Sequence, residues 1–95
     1  MATWMSQAHR EDHYVRHRGE LRVRSIEEYD ASADEAVLNG TPFTYRDPIT
    51  TEPRVGYFHR ETSRFVAVDL DGIIRTHYLT DEGHVADLPM STYHD

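Results

Sequence analysis

Cysteine is absent from the 95 residues, which excludes disulfides and thiolate metal sites. Lysine is absent too, and all ten basic residues are Arg. Arg makes forked contacts to phosphate and carboxylate groups, although a GC-rich genome produces the same bias. No apolar run approaches the roughly 20 residues of a membrane-spanning helix. Residues 1–8 lack the basic start and apolar stretch of a secretion signal, so the expectation is a soluble, cytoplasmic protein with no membrane partner. An excess of positive charge is missing as well. The formal net charge is −7, spread as +2 over residues 1–24, −6 over 25–53 and −3 over 54–95. That balance argues against a general nucleic-acid coat and leaves room for a local basic site. With 38% hydrophobic residues and a mean hydropathy of −0.72, the chain is long enough for one small core. It reads as one domain over 1–95, with 1–5 and 89–95 as loose tails.

The stretch 54–79 carries the strongest pattern. Residues 54–59, 64–69 and 73–79 alternate aromatic or β-branched residues with others, the period-2 mark of half-buried strands. Residues 60–63 form a polar break, and Asp71-Gly72 is a two-residue hairpin signal. Upstream, residues 6–18 predict a helix with Gly19 as its stop. A second helix over 25–39 has a capping box in Ser25 and Glu28, an apolar stripe of Ile26, Tyr29, Ala33, Ala36 and Val37, and Asn39-Gly40 at its end. Its outward acids, Asp30, Asp34 and Glu35, read as a solvated face. Residues 41–53 read as irregular, with a brief edge strand at Phe43 and Tyr45. Residues 84–88 suggest a fourth short strand. The expected class is α+β: two N-terminal helices packed on a small antiparallel meander of three to four strands.

Two groups of residues could carry chemistry. His9, His13 and His17 fall at i, i+4 and i+8, on one helix face. Without Cys or a defined fourth ligand this is a weak zinc pattern, and no bound zinc is expected. Exposed surface histidines are the plainer reading, above all for His9. In the last predicted strand, alternation sets Arg75 and His77 on one face and Ile74, Thr76 and Tyr78 on the other. The plain reading there leaves Arg75 and His77 in water. Metal-free RNA cleavage needs a base, an acid and cations or hydroxyls for the phosphate, a set that His, Arg, Thr and Tyr can supply.

The run His13-Tyr14-Val15-Arg16-His17, the helix start Ser25-Ile26-Glu27-Glu28-Tyr29 with Ala33, Gly56-Tyr57-Phe58, and the strands at 64–69 and 71–78 together resemble a family pattern. It is that of toxin ribonuclease domains in the barnase–EndoU–colicin–RelE group, closest to the colicin D-like branch. The resemblance covers about residues 9–79 through short, degenerate motifs. It implies His17 as catalytic acid or base beside His13, Arg16 as a phosphate contact, and Thr76 and Tyr78 as the catalytic hydroxyl and its neighbouring aromatic. Arg75, His77 and Arg64 follow as substrate-binding residues. It further implies cleavage of tRNA or another RNA through 2′-hydroxyl attack, without metal or cofactor, and an antitoxin or immunity protein as partner rather than DNA. The chain departs from the pattern in its acidic charge and lack of Lys. The alternative expectation is therefore a non-catalytic interaction domain on the same scaffold, or a degenerate relative, binding protein through a sheet edge or its acidic helix.

Overall fold

The computed structural model describes residues 2–94. Helix α1 (Gln7–Leu21) starts at Ser6, whose hydroxyl accepts from the His9 backbone N–H. It runs past Gly19 and ends only at Arg22, in the left-handed region at φ 57°. A mid-helix glycine costs about 1 kcal/mol, and tertiary anchors outweigh it here. Leu21 is buried in the core, and the Glu20 carboxylate accepts from the Leu79 N–H at 2.9 Å. Helix α2 (Ile26–Asn39) follows the expected boundaries, with Ser25 as N-cap. Tyr29, Ser32, Ala33 and Ala36 form its buried face, while Ile26 and Val37 are only half-buried. The stripe is thus centred on Tyr29.

Four antiparallel strands follow in the order β1 (Thr41–Arg46), β2 (Pro53–His59), β3 (Arg64–Val68) and β4 (Ile74–Leu79). Residues 41–46 are not irregular: they form a complete strand in register with β2. The β1–β2 approach depends on Gly56, where a Cβ would stand 2.4 Å from the Phe43 ring. The β3–β4 connection is longer than a two-residue hairpin. Gly72 takes φ 82°, while the Asp69 carboxylate accepts from the Asp71 and Ile73 N–H groups at 2.9 and 3.0 Å.

A β-bulge then decides which way β4 faces. Val68 pairs with Ile74 and Ala67 with Thr76, leaving Arg75 as the extra residue. Simple alternation fails at that point. Ile74 and His77 lie opposite Val68 and Val66, facing α2, whereas Thr76 and Tyr78 lie opposite Ala67 and Phe65 on the other face. His77 is therefore not in water: its exposure is 0%.

Both faces of the sheet are covered. Ala33 and Ala36 pack on Val66, Val68 and Ile74. On the other face Val85, Leu88 and Tyr93 cover Phe43, Tyr45, Phe58, Phe65 and Ala67. The expected strand at 84–88 is instead helix α3 (Glu82–Ala86), begun by Asp81, whose carboxylate accepts from the His84 N–H at 2.8 Å. Asp81 supplies a helix N-cap, and Val85 and Leu88, three residues apart, meet the sheet from one side of the chain.

The expected loose tails are also packed, as far as they are described. Ile74 N–H donates to Thr3 O at 2.7 Å, and the Trp4 indole donates to Asp30 at 2.9 Å. At the opposite edge Arg46 N–H donates to Pro89 O at 2.8 Å and Thr92 N–H to Thr44 O at 2.9 Å. Pro42, which has no N–H, occupies the remaining part of that edge.

Candidate active site

The histidines of α1 form a column along the β4 edge. Ring centroids lie 4.5 Å apart for His9 and His13 and 5.8 Å for His13 and His17. Trp4 closes one end of the column against His9 at 5.7 Å. At the other end His17 meets Tyr78 at 5.6 Å. His17 Nδ1 lies 3.1 Å from Glu20, and the Tyr78 hydroxyl lies 2.9 Å from His84 Nε2. The rings run in series rather than converging on a point, and no group of three or more metal-ligating side chains converges among the described residues.

Because the bulge turns Thr76 to this side of the sheet, His13 reaches it, with Nδ1 3.4 Å from Thr76 Oγ1. His13 is only 8% exposed. Burial, with His9 and Arg16 beside it, lowers its pKa to about 4, so it is neutral at pH 7. His9, the residue read as plain surface, lines a cleft of about 220 Å³ with Thr76 and Arg75. Its Nδ1 is buried without a hydrogen-bond partner, an orphaned group of the kind that marks functional sites. Burial and then Arg75 lower its pKa as well. Arg75 donates only to the Met5 sulfur, at 3.3 Å, and has no carboxylate partner among the described residues.

The opposite wall of the cleft comes from Tyr45 and Arg54, directly paired across β1 and β2. The Tyr45 ring packs among Phe43 and Phe65, and its hydroxyl has no hydrogen-bond partner among the described residues. Burial raises its pKa, so it remains a proton donor. Asp47, at the rim, is occupied by its own loop: it accepts from Ile49 N–H, Thr50 N–H and the Thr50 hydroxyl at 3.2, 2.8 and 3.0 Å. The loop N–H groups, Thr50 first, hold its pKa below the usual carboxylate range.

Of the residues singled out in the sequence, His13, Thr76 and Arg75 come together here, and His17 lies one ring further along. Arg16 is paired with Asp12 on the exposed side of α1. Tyr78 is engaged by His84, and burial pushes its phenol up to about 12. His77 and Arg64 belong to the opposite side of the sheet. His77 Nδ1 donates to Phe65 O at 3.0 Å, so Nε2 accepts from the Ser32 hydroxyl at 2.9 Å. Burial lowers its pKa to about 4. Arg64 faces Glu35 at 3.5 Å. His9 was marked in the sequence only as one of three aligned histidines and taken for surface, and Tyr45 and Arg54 carried no functional mark at all. Only strand register and the lie of α1 bring the three to one cleft.

Comparison of the chain with family models, characterised proteins and solved structures gave no match.

Proposed function

We propose that the protein is a metal-independent endoribonuclease, with the cleft between α1 and the sheet as its active site. The observation that carries this reading is a single cleft lined by His9, Tyr45, Thr76 and Arg75, in which the Tyr45 hydroxyl has no hydrogen-bond partner among the described residues. His9, its Nδ1 enclosed by protein and its pKa lowered by burial and Arg75, takes the proton of an RNA 2′-hydroxyl through its other ring nitrogen, Nε2. O2′ bonds to phosphorus, the P–O5′ bond breaks, and the Tyr45 phenol gives its proton to O5′. The products are a 2′,3′-cyclic phosphate and a 5′-hydroxyl. Arg75 and the Thr76 hydroxyl meet the charge that builds on the phosphoryl oxygens. His13 holds Thr76 in place from behind.

The reading shares the reaction class that the resemblance to toxin ribonucleases implies but not its residue roles, since His9 and Tyr45 take the parts expected of His17 and Tyr78. That class makes tRNA the first RNA to test and an antitoxin or immunity protein the partner to seek. The alternative interaction domain loses its edge-pairing route, since α1 and the N-terminal residues cover β4 while Pro42 and residues 89–92 cover β1.

General acid–base catalysis typically contributes 10²–10⁴-fold. His9→Ala is expected to lower RNA cleavage by that range with the fold intact, and EDTA is expected to leave the wild-type rate unchanged. If the loss followed His17→Ala and not His9→Ala, the base would be His17. Total cellular RNA left uncut by the wild type, with and without divalent metal, would overturn the reading.

A further inference from the structure

Beyond Tyr45 and Arg54 the sheet opens into a second cleft of about 290 Å³. The two clefts share Tyr45 and Arg54 as a common wall. The second contains no acid–base pair. Its rim carries two of the largest exposed apolar side chains, Leu70 at 70% and Met90 at 79%. Met90 is held at φ 56°, a left-handed conformation that a non-glycine side chain adopts only at a cost. Arg54 is the third unusual feature. Its side chain is 6% exposed, yet its nearest carboxylate, Glu52, stands 3.7 Å away, and it donates to the Pro53 carbonyl at 3.2 Å. A cation removed from water with so little compensation favours an anion at its side.

We infer that this second cleft is the subsite for the nucleotide on the 5′-oxygen side of the cut, so that the substrate is single-stranded RNA extending past the scissile bond. The inference rests on the ribonuclease reading for its direction. Tyr45 faces both clefts, and the oxygen it protonates belongs to the departing nucleoside, which places that nucleoside in the second cleft. Leu70 and Met90 bracket its base, and Arg54 meets its 3′-phosphate. Apolar clamping of a base discriminates little among bases, and a duplex keeps its bases stacked away from such a clamp. The occupant is an unpaired strand.

The test compares two substrates. One is a single-stranded tetranucleotide; the other is a nucleoside 3′-(4-nitrophenyl phosphate), whose leaving group needs neither a proton donor nor a downstream nucleoside. Leu70→Asp and Met90→Asp alter exposed side chains, and Asp accepts left-handed backbone better than most residues. Each is expected to raise KM for the tetranucleotide about tenfold or more while kcat/KM for the nitrophenyl ester stays within about twofold, tenfold corresponding to about 1.4 kcal/mol. Titration of the wild-type protein with an uncleavable 2′-deoxy tetranucleotide is expected to shift the Leu70 and Met90 methyl resonances. Arg54→Met is expected to weaken that binding and flatten its salt dependence. If the wild type cuts no RNA but the oligonucleotide moves these methyl signals, the ribonuclease reading fails and the cleft stands as a single-strand site. If RNA is cut and both Asp variants handle the tetranucleotide like the wild type, the subsite is overturned and the ribonuclease stands. Methyl shifts that follow protein concentration without oligonucleotide would also overturn it, by making the rim a face between copies of the chain.

Discussion

His13 and His77 illustrate how burial, rather than residue type, assigns a histidine its role. Both are held neutral, with pKa lowered to about 4 chiefly by burial. His77 is fully satisfied by Ser32 and Phe65 O and serves the core. His13 touches Thr76 and serves the cleft. For each group the folded pKa lies below the unfolded value of about 6.5. The unfolded chain therefore takes up protons first as pH falls, and folding stability declines between about pH 6.5 and 4. For the two groups together, the expected loss between pH 7 and pH 5 is about 4 kcal/mol, measurable from urea midpoints at the two pH values. In His13→Ala the pH-dependent part of the loss should fall to about half. A stability that stays level down to pH 5 would contradict the buried neutral state of both rings. The same logic bears on catalysis: burial and Arg75 lower the His9 pKa, so the acid limb of kcat/KM should lie below the ordinary histidine value of about 6.5.

Helix α1 is a lid on an exposed strand edge as much as a carrier of histidines. Edge strands present unpaired N–H groups that invite aggregation, and Glu20 occupies one of them at Leu79. The same carboxylate group lies 3.1 Å from His17 Nδ1, so one residue both seats the helix and orients the end of the column. Glu20→Ala is expected to cost about 1 kcal/mol and to speed amide hydrogen exchange at Leu79. Glu20→Gln keeps a neutral acceptor and should retain most of the protection. Unchanged exchange at Leu79 in Glu20→Ala would show that the helix does not depend on this contact. The β4 bulge is the second device. Were Arg75 paired with Ala67 instead of bulged, Thr76 would stand opposite Val66 and face α2, and His77 would stand opposite Phe65 on the cleft side.

Taken whole, the molecule carries a net charge of −7, yet the paired clefts are lined by Arg46, Arg54 and Arg75 against one lining acid, Asp47, whose oxygens accept from its own loop, with Glu52 standing 3.7 Å from the buried Arg54. The charge that matters to RNA is thus local. For single strands, log K falls with log salt by about 0.7 for each phosphate neutralised. Arg54 and Arg75, the two assigned to phosphates, give an expected slope of about −1.4 for oligonucleotide binding, reduced to about −0.7 in Arg75→Met. A wild-type slope near zero would mean that neither guanidinium meets a phosphate.

Much of this architecture was decided locally and was legible in the chain. The Ser25 cap and Gly40 bounded α2, and period-2 alternation bounded β2, β3 and β4, because caps and pleats act over a few residues and leave their pattern in sequence. The histidine column was legible for the same reason, since i, i+4 spacing alone aligns its rings. What tertiary structure alone decided was which residues faced one another. One bulge reversed the faces of β4 and buried His77; the cover supplied by α3 and residues 89–94 turned an expected strand and tail into core; and register brought Tyr45 and Arg54 opposite His9. Those outcomes depend on pairings between residues distant in the chain, where one residue of slip exchanges the two faces of a strand, and no local pattern carries that information.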